Sequence, residues 1–470
     1  MKKTHLILFV AFLILNSVKT EAKKLASKKN QKPNIIFILT DDQRWDALGF
    51  SGNRIIKTPE MDKLAREGVY FKNAFVTTPI CAASRASIFT SLYERTHGYT
   101  FGQGNIKDPY INNSYPALMK KSDYYTGFFG KFGVQYEHIS SLFDDSEVYD
   151  RNGKYSDYRG YYYKTLGRDT VHLTRYTGQK AMDFINNAPS DKPFCLSLSF
   201  SAPHAHDPAP NQYFWQDAQD SLYRDMLMPP PLLGADKYFN EQPDYVKENI
   251  NRKRWHWRYD TFLKYQHSVK GYYRMIRGID REIGKIRTLL KEKGIADNTI
   301  IMLMGDNGYF LGERQLAGKW LMYDNSLRVP LIIYDPRNEN HRVIVDMALN
   351  IDIAPTIFDF AGLDVSSKWQ GRSLAGYVKG ENPVADREQF VCEHLWETPR
   401  IPPSEGLRTK KWKYFRYRRH LEHEELYNLV EDPLEKNNLA KDEKYQSKLE
   451  EMRSNFKQLS GTLKDQKVVQ

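Results

Sequence analysis

The sequence predicts an α/β protein with a large, mixed but mostly parallel sheet flanked by helices, followed by a smaller C-terminal α+β domain. Three observations lead to this class. Short apolar runs end abruptly at charged residues, segments with helix signals alternate with these runs, and the pattern changes after Asp386. A chain of 470 residues is long enough for one large and one small domain.

Four apolar runs are typical of strands that are buried on both faces of a parallel sheet. They cover residues 33–40, 124–129, 194–200 and 299–304. Each run leads directly into polar or charged residues, which include Asp41, Lys131, His204 and Asp306. Ligands of open α/β sheets bind at the carboxyl ends of the strands, so these side chains are expected to meet at one site.

Helix signals separate the runs. Thr58 and Pro59 precede a segment that ends at Gly68, which predicts a helix with a threonine N-cap and a C-terminal glycine. Residues 265–294 indicate one or two long helices. After Asp386, residues 412–418 alternate like a strand and residues 441–463 are helical in pattern.

The predicted domain boundaries follow from these segments. Residues 1–22 combine Lys2 and Lys3 with an apolar run from 6 to 15, which is typical of a secretory signal. That run is too short to span a bilayer. We therefore expect a periplasmic or secreted protein with no membrane span, a main domain over 23–384 and a small domain over 385–470.

Charge and cysteine content narrow the function classes. The net charge of +11 suits a polyanionic partner. Nucleic acid would fit the charge equally well, but the signal segment, the acidic clusters and the lack of a nucleic-acid-binding motif argue against it. The three cysteines do not make a disulfide framework, although Cys195 and Cys392 could pair.

Cys81 has the most informative surroundings of the three cysteines. Pro79 disfavours helix before Ile80, and good helix formers follow, so Cys81 falls near a helix N-terminus, where backbone N–H groups favour an anion. Arg85 lies one turn later on the same face and could hold an oxyanion through two hydrogen bonds. The alternative is a small buried cysteine beside a surface arginine.

Oxygen-bearing side chains follow two of the predicted strands. Asp41 and Asp42 follow the first, and Asp306 and Asn307 follow the last. Three carboxylates crowded together would repel each other unless a hard cation lay among them, which favours Ca²⁺ over Zn²⁺. Alternatively, these residues are ordinary turn and cap residues.

The segment from Cys81 to Arg85 fits the pattern Cys-x-(Pro or Ala)-x-Arg and resembles the site of formylglycine-dependent type I sulfatases, which have the alkaline phosphatase-like fold. Further segments resemble blocks of that family in the same order, and together they cover almost the whole mature chain. They are 41–44, 305–308, 328–330, 352–356, 370–374 and 426–429.

The resemblance implies hydrolysis of a sulfate ester by a hydrated aldehyde, formed from Cys81 by a formylglycine-generating maturase. It implies one Ca²⁺ bound by the formylglycine oxygen at position 81 and by Asp41, Asp42, Asp306 and Asn307. Lys131, His204 and Lys319 match positions that surround the sulfate and the leaving oxygen. Cations and a proton donor there would lower the barrier, because negative charge moves onto the leaving oxygen as the S–O bond breaks.

One position departs from the family pattern. The family commonly has histidine two residues after the lysine that matches Lys131, where it helps to expel sulfate, but this chain has Gly133. Either His138, His206 or another group replaces this base, or a remaining base or water releases the sulfate. His206 is also a candidate substrate contact.

The predicted function is an exported sulfatase acting on a sulfated carbohydrate such as a glycosaminoglycan, mucin or algal glycan. The basic run 252–258, with Trp255 and Trp257, either contacts an acidic sugar or is a solvated structural segment. The alternatives are a phosphodiester or phosphonate hydrolase of the same fold and a non-catalytic protein that binds sulfated glycans. The absence of a second metal cluster of His and Asp disfavours phosphatase chemistry.

Overall fold

The computed structural model describes residues 32–149, 162–207, 209–381 and 386–465. The predicted signal segment 1–22 lies outside the described residues, and so does the predicted domain boundary at 384 and 385. No helix among the described residues is both long and apolar enough to cross a membrane.

The described residues form sixteen strands. They are β1 (Asn34–Thr40), β2 (Val69–Phe75), β3 (Tyr125–Gly130), β4 (Asp145–Val148), β5 (Tyr163–Leu166), β6 (Asp169–His172), β7 (Phe194–Ser199), β8 (Thr299–Gly305), β9 (Phe310–Leu311), β10 (Ala317–Gly318), β11 (Leu331–Tyr334), β12 (Arg342–Leu349), β13 (Gln389–His394), β14 (Ser404–Thr409), β15 (Trp412–Tyr417) and β16 (His420–Asn428).

The same residues form fourteen α-helices. They are α1 (Pro59–Glu67), α2 (Cys81–Thr90), α3 (Glu94–His97), α4 (Asp108–Ile111), α5 (Tyr115–Lys120), α6 (Leu173–Asn187), α7 (Asp236–Asn240), α8 (Asp244–Lys247), α9 (Ile250–Arg258), α10 (Phe262–Glu292), α11 (Asp324–Leu327), α12 (Ile353–Ala361), α13 (Ala375–Lys379) and α14 (Gln446–Asp465).

Eight strands form the main sheet, in the order β12, β2, β11, β8, β1, β7, β3, β4. The central strand β1 pairs in parallel with β7 and β8, so that Ile38 lies between Leu198 and Leu303. β3 is parallel to β7, whereas β11 is antiparallel to β8 and β2. The predicted mixed, mostly parallel sheet is confirmed, and β1, β3, β7 and β8 deliver their following residues to one edge.

The apolar runs are continuous because both faces of the sheet are covered. Alternate residues of β1 enter two different core clusters, Ile35 and Phe37 in one and Ile36 and Ile38 in the other. Helix α10 packs in the second cluster, through residues that include Ile276. Each residue from 35 to 39 is therefore buried whichever way it points.

The C-terminal strands β13 to β16 form an antiparallel sheet, and α14 packs on it, so the predicted α+β unit is confirmed in class. This sheet shares a core cluster with the main sheet, and the rings of Phe75 and Phe390 lie 5.4 Å apart. Ion pairs also join the C-terminal sheet to α11, such as Lys413 with Asp324. The C-terminal unit can therefore contribute to a site on the main sheet.

Several local predictions differ from the structure. Thr58 does not cap α1, because its hydroxyl donates to Asp62 Oδ1 at 2.9 Å. Instead Asp280 of α10 accepts the first free N–H groups of α1, from Glu60 and Met61, at 2.9 and 2.8 Å. Gly68 is extended rather than left-handed.

Two further predictions can be compared with the structure. Residues 205–260, predicted as irregular, contain three short helices and the whole of α9. Cys195 and Cys392 are both buried free thiols, so they do not pair.

Candidate active site

The polar residues at the strand ends do meet. Asp41 and Asp42 follow β1, Lys131 follows β3 and Asp306 follows β8, and all four side chains are buried. Backbone bonds hold the ends together, since the N–H of Asp306 donates to the carbonyl of Thr40 at 2.9 Å. The convergence predicted from the parallel runs is therefore found in the structure.

Three carboxylates and one amide form the acidic part of the site. Asp42 has a left-handed backbone with φ of 66°, and its N–H donates to Asp306 Oδ1 at 3.1 Å. Asn307 Nδ2 donates to Asp42 Oδ1 at 2.7 Å. A non-glycine residue in this conformation is held by its surroundings, so the position of Asp42 is fixed by the strand ends.

Three cations lie against these carboxylates. Lys131 Nζ donates to Asp41 Oδ2 at 2.6 Å, Lys319 Nζ donates to Asp42 Oδ1, and Arg85 Nε donates to Asp306 Oδ2 at 2.9 Å. The repulsion expected from crowded carboxylates is thus offset by side-chain charge. Crowding alone therefore does not require a metal ion here.

The electrostatics of the carboxylates are asymmetric. Burial raises the pKa of Asp41, but the charges of Lys131 and two further cations outweigh it and lower that pKa to about 2. Burial and the negative charge of Asp41 raise the pKa of Asp306 to about 6. Asp41 is thus the carboxylate whose ionised form the surroundings stabilise most clearly.

Cys81 is the first residue of α2, as predicted. Ile80 before it is extended, and no side chain caps this helix. All ten residues of α2 are buried, which fixes the helix in the core. The N-terminal backbone N–H groups therefore face the site without a side-chain acceptor, an arrangement that favours a bound anion.

Arg85 is fully buried on α2 and makes more protein contacts than the sequence indicates. Besides Asp306, its guanidinium donates through Nη1 to the carbonyl of Lys131 and to the hydroxyl of Ser199. Among the described residues, Nη2 has no hydrogen-bond partner, although it lies 3.9 Å from Asp41 Oδ2. Arg85 therefore holds the strand ends together and keeps only one nitrogen for an anion.

Lys319 is fixed beside Cys81 by its backbone neighbours. The N–H of Trp320 donates to the carbonyl of Pro79 at 3.0 Å, and Asn251 Nδ2 donates to the carbonyl of Lys319 at 2.9 Å. Burial lowers the pKa of Lys319, but the charges of Asp42 and Cys81 raise it above its usual value. Lys319 is therefore a cation in the free site.

The acidic group fits a hard cation. Asp41, Asp42 and His204 each offer one ligand atom, and these atoms lie within 4.8 Å of one another. Asp41 Oδ1 and Asn307 Oδ1 are buried and accept no hydrogen bond from the described residues. Buried oxygens without partners are costly, and coordination to a cation would satisfy them.

His204 was not predicted in this group. Its Nε2 lies 3.6 Å from Asp42 Oδ2, and its Nδ1 lies 2.5 Å from the carbonyl oxygen of Ala205.

A cavity of about 710 Å³ opens above Cys81. Of the predicted catalytic residues, Cys81, His204 and Lys319 line it, whereas Arg85 and Lys131 lie behind it. Sequence reasoning missed most of the other walls, which come from a loop, α9 and the segment between β13 and β14. They are Phe101, Asp207, Glu248, Asn249, Ile250, Trp320, Trp396, Pro399, Arg400 and Ile401.

The basic run 252–258 lies on α9 and is mainly structural. Arg254 and Arg258 both pair with Asp207, and Arg252 stacks on Trp255. Of this run, Lys253, Arg254 and Trp257 line the cavity. The run therefore reaches the site through a few side chains, and Arg252 and Arg258 bind to other parts of the protein.

Gly133 lies directly beside the site. A Cβ at this position would come within 2.5 Å of Arg85 Cδ, and the backbone φ of 73° disfavours other residues. Position 133 therefore has no room for a histidine while Arg85 keeps its present place.

The two histidines considered as replacements do not line the cavity. His138 is exposed, and its ring lies 5.8 Å from that of Tyr136. His206 is half-buried, and its ring lies 6.3 Å from that of Phe214. Among the histidines of the described residues, His204 is the one that lies close to Cys81 and Asp42.

The fold and the site combine a mixed α/β sheet with a buried acidic cluster, three cations paired with it and a cysteine at a helix N-terminus. The Sulfatase family model matches residues 33–363, and the model for the C-terminal part of N-sulphoglucosamine sulphohydrolase matches residues 312–462. The chain therefore belongs to the sulfatase family, and it is a sulfuric ester hydrolase. This family generally uses a formylglycine and a divalent metal.

Two relatives and one solved structure are similar to this chain over most of its length. An arylsulfatase of Clostridium perfringens is 30% identical over 90% of this chain and 93% of its own length. An N-acetylglucosamine-6-O-sulfatase of Bacteroides thetaiotaomicron is 26% identical over 93% of this chain and 88% of its own. A structure in complex with its substrate D-glucosamine-2-N,6-O-disulfate shares the fold, with a TM-score of 0.75, 24% identity and coverage of 93% and 99%.

Proposed function

We propose that this chain is an exported, formylglycine-dependent sulfatase that removes sulfate from a carbohydrate and binds one Ca²⁺. The relatives support the carbohydrate, because one of them is an N-acetylglucosamine-6-O-sulfatase. The observation that carries the proposal is the placement of Cys81. It lies at the start of a buried helix and lines the cavity together with His204 and Lys319.

Calcium would be held by Asp41, Asp42, Asp306 and Asn307, together with an oxygen at position 81. Two oxygens of this set, Asp41 Oδ1 and Asn307 Oδ1, are buried and accept no hydrogen bond from the described residues, which supports a hard cation. When bound, the ion supplies positive charge that polarises an anionic oxygen of the substrate. Lys131, Lys319 and Arg85 already balance the charges of the three carboxylates. A bound ion would therefore give the site net positive charge, which favours the anionic sulfate monoester.

Formylglycine at position 81 supplies an oxygen nucleophile from its hydrated aldehyde. The chain's contribution is to place this group at the N-terminus of α2, where backbone N–H groups and Arg85 Nη2 can hold the sulfate oxygens. Arg85 also positions Asp306 and the carbonyl of Lys131, so it orders both sides of the site.

His204 and Lys319 are placed to assist the leaving group. Both line the cavity, and each lies next to Asp42. A sugar alkoxide is a poor leaving group, and a proton from one of these residues would lower the barrier to its departure. Lys131 lies behind the cavity against Asp41, where it fixes that carboxylate.

The maturase is the proposed protein partner. Every residue of α2 is buried, so an enzyme could not reach Cys81 as part of an extended segment in the folded chain. Conversion would therefore take place before folding is complete. Export would follow from the predicted signal at residues 1–22.

The test compares 4-nitrophenyl sulfate, 4-nitrophenyl phosphate and a 4-nitrophenyl phosphonate ester as substrates of protein made with a formylglycine-generating enzyme. We expect sulfate release to have the highest kcat/KM, and Cys81→Ala to be folded but inactive. A higher kcat/KM for the phosphonate or phosphate ester would favour the alternative hydrolases. Binding of sulfated sugars without turnover of any sulfate ester would favour a non-catalytic glycan-binding protein.

A further inference from the structure

The cavity above Cys81 is larger than the sulfate group requires. Its volume of about 710 Å³ falls in the range of pockets that enclose a whole small ligand. Cys81, His204 and Lys319 form its floor, whereas α9 and the segment between β13 and β14 form its outer wall. The outer wall must therefore contact the parts of the substrate beyond the sulfate ester.

Most charges that line the cavity are already compensated. Lys319 pairs with Asp42, and Arg254 pairs with Asp207, which also accepts from Arg258. These pairs hold the walls in place and leave little net charge for a ligand.

Two cations of the outer wall have no such partner. Lys253 and Arg400 are both exposed, and neither side chain forms an ion pair or hydrogen bond with any described residue. The backbone N–H of Ile250 donates to the carbonyl of Arg400 at 3.2 Å, so the start of α9 adjoins the segment that carries Arg400. Lys253 follows within one turn of Ile250, which places both cations on the same side of the cavity.

One anion, Glu248, shares the rim with these cations. It is exposed and its side chain has no partner among the described residues. The uncompensated groups of the outer wall therefore comprise two cations and one anion, and the wall carries net positive charge.

Aromatic faces complete the outer wall. Trp257 is 40% exposed although it is a large apolar side chain. Trp396 and Phe101 pack together with ring centroids 5.3 Å apart, and both line the cavity. Indole and phenyl faces next to uncompensated cations suit a sugar ring that carries an anionic substituent.

We propose that Lys253 and Arg400 form a subsite for a second anionic group, a sulfate or a carboxylate, on the carbohydrate whose sulfate ester lies at Cys81. This inference rests on the proposed carbohydrate sulfatase function and narrows its substrate class to sugars with at least two negative groups. The positive charge of the subsite determines which substrates bind well, and the residues of the floor take part in the reaction.

Calorimetric titration of the full chain with unmodified Cys81 tests the subsite without turnover. The probes are N-acetylglucosamine 6-sulfate, glucosamine 2-N,6-O-disulfate and a uronate disaccharide that ends in N-acetylglucosamine 6-sulfate. We expect at least one of the two acidic probes to bind about tenfold more tightly than the monosulfate, and the preferred probe identifies the second group as sulfate or carboxylate. The preference should fall as NaCl rises from ~0.02 to ~0.5 M, because exposed charges are screened.

The variants Lys253→Gln and Arg400→Gln should each reduce this preference about threefold, and the double variant should abolish it. Lys291→Gln and Arg418→Gln are matched controls, because both residues are exposed cations outside the cavity. Equal affinity for all three probes in the wild type, or an undiminished preference in the double variant, overturns the inference.

Hydrolysis of 4-nitrophenyl sulfate by the matured protein separates the two proposals. Its kcat/KM should be unchanged in the controls Lys291→Gln and Arg418→Gln, and the double variant should lower it by less than it lowers the affinity for the acidic sugars, because this ester has no second anionic group. Normal hydrolysis without any preference for acidic sugars would refute the subsite and leave the sulfatase function intact. A preserved preference in a protein without sulfatase activity would refute the proposed function and leave the subsite standing.

Discussion

The floor and the outer wall of the cavity are built in opposite ways. Lys319 on the floor, and Asp41 and Asp42 behind it, are buried, and each is paired with an opposite charge. Asp41 and Asp42 follow the central strand β1, and Lys319 follows β10. On the outer wall, Lys253 and Arg400 are exposed, come from a helix and a loop, and form no ion pair with any described residue.

This difference indicates that the floor carries out the reaction and that the outer wall determines which substrate is preferred. Groups that stabilise a transition state work best when they are fixed before the substrate arrives, which burial and pairing achieve. Exposed side chains on a helix and a loop can change without disturbing the sheet. Substitutions on the floor should therefore lower kcat, and substitutions on the wall should change KM and substrate preference.

The largest effect is expected for Asp42→Asn and Asp306→Asn. Each change removes a charged ligand from the proposed Ca²⁺ site and leaves a lysine or arginine without its partner. We expect kcat/KM for 4-nitrophenyl sulfate to fall by about 10³ or more. Calorimetry should show weakened Ca²⁺ binding, and chelation of the wild type should reproduce the loss of activity.

Asp191→Asn is the control, because Asp191 is exposed and lies outside the cavity. Thermal melting shows whether each variant is folded. Wild-type turnover together with unchanged Ca²⁺ affinity in Asp306→Asn would show that Asp306 does not bind a catalytic Ca²⁺.

The next largest effect is expected for His204→Ala and Lys319→Ala. If these residues protonate the leaving oxygen, kcat should fall by about 10² on a sugar sulfate and by much less on 4-nitrophenyl sulfate, because nitrophenolate leaves without a proton. Paired measurements of kcat on both substrates check this. An equal loss on both substrates would argue against proton transfer to the leaving group.

Two further histidine variants test which group replaces the histidine missing at position 133. If His138 or His206 releases the sulfate, rather than another group, a remaining base or water, then one of His138→Ala and His206→Ala should slow turnover. The structure favours His204, since neither of the others lines the cavity. Turnover within twofold of wild type in both variants would exclude them.

The floor was largely predictable from sequence, and the reason is local. Residues 35–39 are apolar because each one is buried on one face or the other, and charged residues begin where the strand ends. A few consecutive residues therefore predict both the strand and the position of the site. Asp41, Asp42 and Asp306 could therefore be assigned to the same place before the fold was seen.

The outer wall could not be predicted in the same way. Arg400 and Trp396 reach the cavity only because the C-terminal sheet packs on the main core, and no local pattern records that contact. The role of the run 252–258 stayed open for the opposite reason. Its high charge density is obvious in the sequence. However, Arg254 and Arg258 form ion pairs with Asp207, and only the tertiary structure identifies this partner.

An intermediate effect is expected for Gly133→Ala. The added Cβ would meet Arg85 Cδ at 2.5 Å, so Arg85 must move from Asp306. We expect the free energy of unfolding to fall by about 1–3 kcal/mol and kcat to fall with it. Chemical denaturation and steady-state kinetics provide the two measurements.

Gly104→Ala is a matched control for the backbone. Gly104 has a φ of 76°, close to that of Gly133, but no atom lies within 4 Å of its added Cβ. Equal destabilisation in the two variants, with kcat unchanged in Gly133→Ala, would show that the contact with Arg85 does not matter.

The smallest effect is expected for Trp257→Ala on the outer wall. Losing this partly exposed indole should raise KM for a sugar sulfate severalfold through lost ring contact, with kcat nearly unchanged. Hydrolysis of 4-nitrophenyl sulfate provides the internal comparison. A large fall in kcat on both substrates would contradict the separation of wall from floor.

The central claim is that position 81 works as formylglycine and not as a thiol. Mass spectrometry of the tryptic peptide 73–85, from protein made with and without a formylglycine-generating enzyme, tests it most directly. Turnover should rise in proportion to the fraction of peptide carrying the aldehyde, and protein with wholly unmodified Cys81 should be inactive. Full sulfatase turnover in a preparation whose peptide contains only unmodified cysteine would contradict it.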